Sequence, residues 1–223
     1  MYVPAHFEET RFEVLHQLIH EHPLAALVTL GPAGLEANHI PLELDPAPAP
    51  LGTLRGHVAR GNPVWRELSR DVEALAIFQG PQAYISPAWY PTKRETGKVV
   101  PTYNYAVVHA YGPVRIIEDR AWLRGLVERL TTRHEAGRPG AWKVTDAPAD
   151  FVEQMLGAIV GIEIPLTRLV GKWKVSQNRP AADREGVVQA LRGSNRFRPM
   201  KDGATGKPAA TIRVGAISTV RAG

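Results

Sequence analysis

No cysteine occurs among the 223 residues, which excludes disulfides, thiolate nucleophiles, cysteine-ligated zinc and iron–sulfur clusters. Only His, Asp and Glu are left as strong metal ligands, and redox chemistry in such a chain needs a borrowed cofactor. Long apolar runs are missing as well. None approaches the roughly 18 residues of a membrane span, and Met1, Tyr2, Val3 and Pro4 lack the basic-then-apolar layout of a signal peptide. The expectation is a soluble, cytoplasmic protein with no membrane partner. Gly31, Gly34 and the glycines of the tail fit neither a P-loop nor a dinucleotide fingerprint. Acidic residues are scarce at one end: residues 192–223 hold seven Lys/Arg against Asp202 alone, while residues 1–191 carry 20 basic and 21 acidic residues. The formal charge of +5 therefore resides in the tail. A basic tail attracts phosphate backbones non-specifically, but its composition here reads first as a solvated end.

The periodicities present are those of one main domain. Phe7, Phe12, Val14, Leu15, Leu18 and Ile19 recur at helical spacing, with Glu8 and Glu9 in the first turn and Pro23 as a stop, which predicts an amphipathic helix over 6–21. Leu24–Leu30 and Leu35–Leu44 flank the turn Gly31-Pro32-Ala33-Gly34 and read as a hairpin. Further strands are expected at 52–59, 74–78, 99–117 (broken at Gly112-Pro113) and 158–169, with helices at 64–70, 119–134, 148–156 and 183–191. The segment 79–98, rich in proline, glycine and aromatic residues, reads as an ordered functional loop. Disorder is expected from about residue 196, where apolar periodicity stops. Several short strands with peripheral helices predict a mainly β, α+β fold built on a small barrel.

Four segments carry chemistry. Gly56-His57-Val58-Ala59-Arg60-Gly61-Asn62-Pro63 leads a strand into a helix start, offering backbone N–H groups, an Arg fork and an Asn amide to a phosphate dianion. Ile85-Ser86-Pro87-Ala88-Trp89-Tyr90 and Val100-Pro101-Thr102-Tyr103-Asn104-Tyr105 set aromatic rings beside hydroxyl and amide groups, a surface for a flat heterocycle. In Lys172-Trp173-Lys174-Val175-Ser176-Gln177-Asn178-Arg179, an extended backbone would put Lys172, Lys174 and Ser176 on one face. In Asn38-His39-Ile40-Pro41, the proline should mark a strand edge or a bulge. For each segment the plain alternative is a structural role: a solvated turn, core aromatics, an edge strand, a hydrogen-bonded barrel histidine. His16 and His20 have the i,i+4 spacing of helical zinc ligands, but Gln17 stands where the metalloprotease pattern needs Glu. No spacing links Ser86 to His39, His57 or His109 as a hydrolytic triad.

Taken in order, Met1-Tyr2-Val3-Pro4 with Phe7, Ala37–Pro41, Gly56–Pro63, Gly80–Tyr90, Val100–Tyr105 and Lys172–Arg179 resemble the PaiB-type FMN-binding negative transcriptional regulators. The resemblance covers the chain to about residue 195 as one domain and leaves 196–223 as a basic appendage without a family counterpart. It implies an FMN-binding split β-barrel related to pyridoxamine-phosphate oxidases. It also implies a homodimer with FMN at the subunit interface, and a DNA or transcription-related partner. By the same resemblance Arg60 and Asn62 would hold the phosphate. Trp89, Thr102 and Asn104 would meet the ring and ribityl chain, and Lys172, Gln177 and Asn178 would close over the cofactor or reach the partner subunit. The full expected contact set is His39, Ile40, Pro41, His57, Val58, Ala59, Arg60, Asn62, Ser86, Trp89, Thr102, Tyr103, Asn104, Lys172, Gln177 and Asn178. Tyr103 stands where a tryptophan is common, which keeps a stacking ring. Two other readings remain: a flavin reductase or oxidase fed hydride by a nicotinamide cofactor across Trp89 and Tyr103, and a haem-binding relative using His39, His57 or His109.

Overall fold

The computed structural model describes residues 1–193; the expected disorder after 196 lies outside the described residues. A 3₁₀ turn at Ala5–Phe7 precedes β1 (Glu8–Glu9) and α1 (Phe12–Glu21). Next come β2 (Leu24–Gly31), β3 (Gly34–Pro41), β4 (Glu43–Asp45), β5 (Thr53–Ala59), α2 (Val64–Glu67) and β6 (Ala74–Ile85). A second 3₁₀ turn (Pro87–Trp89) leads to α3 (Thr92–Thr96), β7 (Thr102–Gly112), β8 (Arg115–Ile117) and α4 (Arg120–Glu135). After a third 3₁₀ turn (Val144–Asp146) the chain ends its described part with α5 (Ala149–Gly157), β9 (Ile159–Pro165), β10 (Arg168–Lys174) and α6 (Ala181–Gly193). Two sheets result, ordered β1-β10-β7-β6-β2-β3 and β4-β5-β9-β8. The β2–β3, β2–β6, β4–β5, β5–β9 and β8–β9 pairings are all antiparallel.

The local reasons for these elements are plain in the chain. Asp119 accepts from the N–H of Trp122 at 2.7 Å and so caps α4. The β2–β3 hairpin runs in unbroken register from Leu24↔Pro41 to Gly31↔Gly34, with Gly34 at φ 107°, a conformation open mainly to glycine. Pro41 therefore closes the last strand of its sheet with no bulge, as the edge half of the expectation had it. Period-two burial marks β5 and β9: Leu54, Gly56 and Val58 face inward from one, Val160, Ile162 and Ile164 from the other.

Three expectations need correction. The helix expected over 6–21 starts only at Phe12, because Glu9 bonds the backbone N–H and the guanidinium of Arg11 and fixes an extended entry. The segment expected to be a loop from 79 continues β6 to Ile85. β2 pairs with β6 only at Leu75–Ile77, so Pro81 lies past that ladder, where its missing N–H costs no bond to β2. The single strand expected over 158–169 is two strands, since Leu166 N–H turns to Gly52 O and Thr167 N–H to Tyr111 O just after Pro165.

The chain forms two compact units. The first comprises Met1, Glu9–Gln79 and Val107–Gly171; the second comprises Tyr2–Glu8, Gly80–Ala106 and the chain from Lys172 onward. In the first unit, the fully buried Leu15, Ile19, Leu27, Leu54, Ile162 and Ile164 supply the core. In the second, Ile85, Tyr90, Val187 and Leu191 pack together, with Ala83, Trp89 and Val99 around them. No helix among the described residues is long and apolar enough to cross a membrane.

Candidate functional site

In the first unit the structure joins two of the expected motifs. Asn62 Nδ2 donates to Asn38 Oδ1 at 2.7 Å, which ties the Arg60-Gly61-Asn62 turn to the strand carrying His39, Ile40 and Pro41. Asn62 Oδ1 also accepts from Val64 N–H at 2.9 Å and so fills a donor at the start of α2. Arg60 is fully engaged. Its Nε donates to Gly157 O at 2.9 Å and its Nη2 to Ile159 O at 3.2 Å, while Nη1 reaches Glu118 Oε1 at 2.6 Å. The guanidinium thus sits at the C-terminal end of α5, where a cation meets the carbonyl dipoles, and it also lies 5.7 Å from the Trp65 ring. Of its three partners only Glu118 is a side chain, and that ion pair is open to water, so it is the weak link. Ile40 and Val58 are buried in the core; only their main chain remains for a ligand. His39, Pro41 and Ala59 are exposed. His57 is half-buried, and burial holds its imidazole below the ordinary pKa.

The second unit gathers the remaining motifs and the N-terminal residues. Lys174 Nζ donates to Thr102 Oγ1. Asn104 and Ser176, both buried, exchange hydrogen bonds at 3.0 and 3.2 Å. Lys172 Nζ donates to Tyr2 O at 2.9 Å and lies 5.7 and 5.5 Å from the Tyr2 and Tyr105 ring centroids. Gln177 turns inward, accepting from Val175 N–H at 2.7 Å and donating to Trp173 O, while Asn178 is exposed. Ser86 accepts from Ala88 N–H at 3.2 Å and starts the 3₁₀ turn that carries the half-buried Trp89. Tyr103 and Tyr84, 56% and 45% exposed, meet edge to face at 5.8 Å.

Read for chemistry, this surface fits a planar, anionic cofactor. Two open aromatic faces can take a heterocycle, a lysine and a hydroxyl stand two β-strand positions from each other's partners, and buried amide–hydroxyl contacts keep the strand from moving. Two contributors escaped sequence reasoning: Glu118, which partners the turn from the link between β8 and α4, and Tyr84, whose exposed position in β6 becomes visible only once that strand is known to run to Ile85; Asn38 belongs to a recognised motif, but its bond to Asn62 is set by the fold. The i,i+2 alternation through Tyr84 was the available signal.

The fold is an α+β arrangement of antiparallel sheets with peripheral helices, the split β-barrel class. It is shared with the FAD and haem binding protein from Mycobacterium smegmatis, at TM-score 0.57 and 17% identity over 84% of this chain and 80% of that one. A flavocytochrome from Azotobacter vinelandii also shares it, at TM-score 0.57 and 11% identity over 77% and 72%. Residues 1–168 match the model of the family described as "Putative FMN-binding domain", and the chain belongs to that family, with FMN as its cofactor. Its relatives include an uncharacterized protein of Aspergillus fumigatus, 35% identical over 86% of this chain and 90% of that one. Protease synthase and sporulation protein PAI 2 of Bacillus subtilis is 33% identical over 86% and 89%.

Proposed function

We propose that this chain is a PaiB-type, FMN-binding negative regulator of transcription that works as a homodimer, with the flavin held where two copies meet. The observation that carries the reading is the likeness to the Bacillus subtilis protein, which extends over 86% of this chain and whose name links it to protease synthesis and sporulation. When bound, FMN supplies reversible redox chemistry; the chain supplies the binding. Tyr103 and Trp89 offer their faces to the ring, Thr102 offers its hydroxyl along β7, and Asn104, buried and closed on Ser176, holds that strand in place. Arg60 receives the phosphate in place of Glu118, since a dianion in a bidentate contact outweighs an exposed carboxylate. Lys172, Gln177 and Asn178 hold the closing segment after β10, and His39, Pro41 and Ala59 add exposed edge contacts.

The test is a mobility shift with the full chain, FMN oxidised or reduced by dithionite, on DNA upstream of its own gene and on unrelated DNA. Binding about 10³-fold tighter to the first at physiological salt, changing with flavin state, is the expected outcome. Equal binding to both DNAs at every flavin state refutes the regulator reading. A second reading, an FMN-dependent oxidoreductase fed by a nicotinamide, is favoured by the open Tyr84–Tyr103 face, on which a second ring could lie. Rapid anaerobic bleaching of the flavin by NADH or NADPH, with turnover in air, is what that reading demands.

A further inference from the structure

The first unit holds a recess whose lining shares only His57 with the residues expected at the flavin, and for His57 the main chain alone is left to the cofactor. It lies between α4, α5 and the segment before α5, is about 280 Å³ in volume, and is bounded by Val127, Thr131, Trp142, Phe151, Met155 and Leu156 together with His57. Trp142, Phe151 and Met155 are 47%, 49% and 43% exposed, so large apolar side chains ring an opening to water. A cluster of this kind on a folded surface calls for a ligand.

Its chemistry narrows the class. No Lys, Arg, Asp or Glu lines the recess, which leaves a phosphate or carboxylate without a counter-charge there. An apolar cavity of about 150 Å³ takes benzene; this one has nearly twice the room and so suits two fused rings. Of the buried polar side-chain atoms of its lining, His57 Nδ1 is the one with no partner among the described residues. Burial keeps that imidazole neutral, so Nδ1 donates or accepts according to the tautomer. A hydroxyl answers either tautomer. The register adds rigidity, since His57 lies opposite Gly161 on β9 and the Trp122 ring packs where a Cβ on Gly161 would be, 2.5 Å away.

We propose that this recess is a second ligand site, for a neutral two-ring aromatic molecule bearing one hydroxyl that bonds His57. It is separate from the flavin and would give the protein a small-molecule input besides its cofactor.

The probe is 2-naphthol, titrated calorimetrically at neutral pH into the full-length, FMN-loaded protein, beside naphthalene, which lacks the oxygen. Saturable binding of one equivalent is expected, with naphthalene weaker by about three- to tenfold for lack of the hydroxyl group, whichever tautomer His57 holds. His57→Phe should erase that difference. Ala147→Trp should fill the recess and weaken naphthol at least about tenfold, with the flavin spectrum unchanged; if it does not fold, Thr131→Trp serves the same purpose from α4. Absent saturation, equal affinity for naphthol and naphthalene, undiminished binding to the filled variants, or displacement of FMN by naphthol would each overturn the proposal. The last of these would also leave the flavin reading standing, so the two fail separately.

Discussion

Asn104 and Ser176, 72 residues apart in sequence, form a closed pair. The amide Nδ2 donates to the hydroxyl at 3.0 Å and the hydroxyl returns a bond to Oδ1 at 3.2 Å, with the residues 2% and 5% exposed. Ser176 does this from φ 66°, the one left-handed non-glycine residue among those described. A buried pair holding a backbone in a costly region means that the contact, and not the local sequence, decides the turn after β10.

That relationship separates two substitutions at one position. Ser176→Ala leaves the amide of Asn104 unpaired, for a loss of about 1–3 kcal/mol, and keeps the left-handed backbone that the parent already carries. Ser176→Gly loses the same bond but relieves the backbone, and should be the more stable of the two by about 1 kcal/mol. Urea unfolding of both variants checks the order, and the reverse order would mean that the turn is held by something other than this pair.

How much of this was legible follows the same division between local and distant causes. The hairpin turn at 31–34, the Asp119 cap and the break at Gly112-Pro113 are short-range signals that stand where the sequence puts them, but the strand expected over Leu35–Leu44 ends at Pro41, and Glu43–Asp45 joins the other sheet. What escaped is non-local. The continuation of β6 through Gly80-Pro81 depends on where β2 stops pairing, which no pattern within β6 records. Within the candidate site, the lysine and polar motifs of residues 100–105 and 172–179 were recognisable by type and do meet. Arg60 was read as a free fork, yet its partners are two carbonyls and Glu118 from segments about 58 to 99 residues away. A guanidinium's availability depends on such neighbours, and they are fixed only by the fold.

Arg60 and Glu118 give the next prediction. Arg60→Ala removes the bonds to Gly157 O and Ile159 O and should cost about 1–3 kcal/mol of stability. It should also weaken FMN by about 1–3 kcal/mol if the phosphate sits there. Glu118→Gln frees Nη1 while sparing the carbonyl contacts, at a stability cost below about 1 kcal/mol, and should bind FMN as tightly as the parent or tighter. Flavin fluorescence quenching on folded protein separates affinity from stability. Unchanged FMN affinity in Arg60→Ala would place the phosphate elsewhere.

Four histidines set an acid limit. His20, His22, His57 and His109 all have pKa values lowered chiefly by burial, with Arg133 adding to the effect at His20 and the N-terminal ammonium at His109. A base whose folded pKa is depressed takes up protons more readily when unfolded, so stability is full above the ordinary value of 6.5 and falls as pH drops below it. Each such histidine adds at most about 1.4 kcal/mol per pH unit to the slope. His57→Gln and His109→Gln should therefore flatten the urea midpoint against pH between about 7 and 5, and a slope as steep as the parent's in the double variant would locate the acid sensitivity in other groups.

Gly186 ties the last helix to the candidate ring contact. A Cβ there would lie 2.1 Å from Trp89 O and 3.3 Å from Pro91 Cδ, and backbone atoms cannot yield as a side-chain tip can. Gly186→Ala must push α6 and the Trp89 turn apart, at about 1–3 kcal/mol. The Thr92 bonds to Asp183, at 2.8 to 3.2 Å, strain with it because they join the same two segments. Gly193→Ala, where nothing lies within 4 Å, is the control; in the same helix it should be neutral or stabilising by up to about 1 kcal/mol. If Trp89 touches the flavin, Gly186→Ala lowers FMN affinity and shifts the flavin spectrum while Gly193→Ala does neither. Loss of stability in Gly186→Ala with unaltered flavin affinity would assign Trp89 to packing in the second unit's core and remove it from the cofactor contacts.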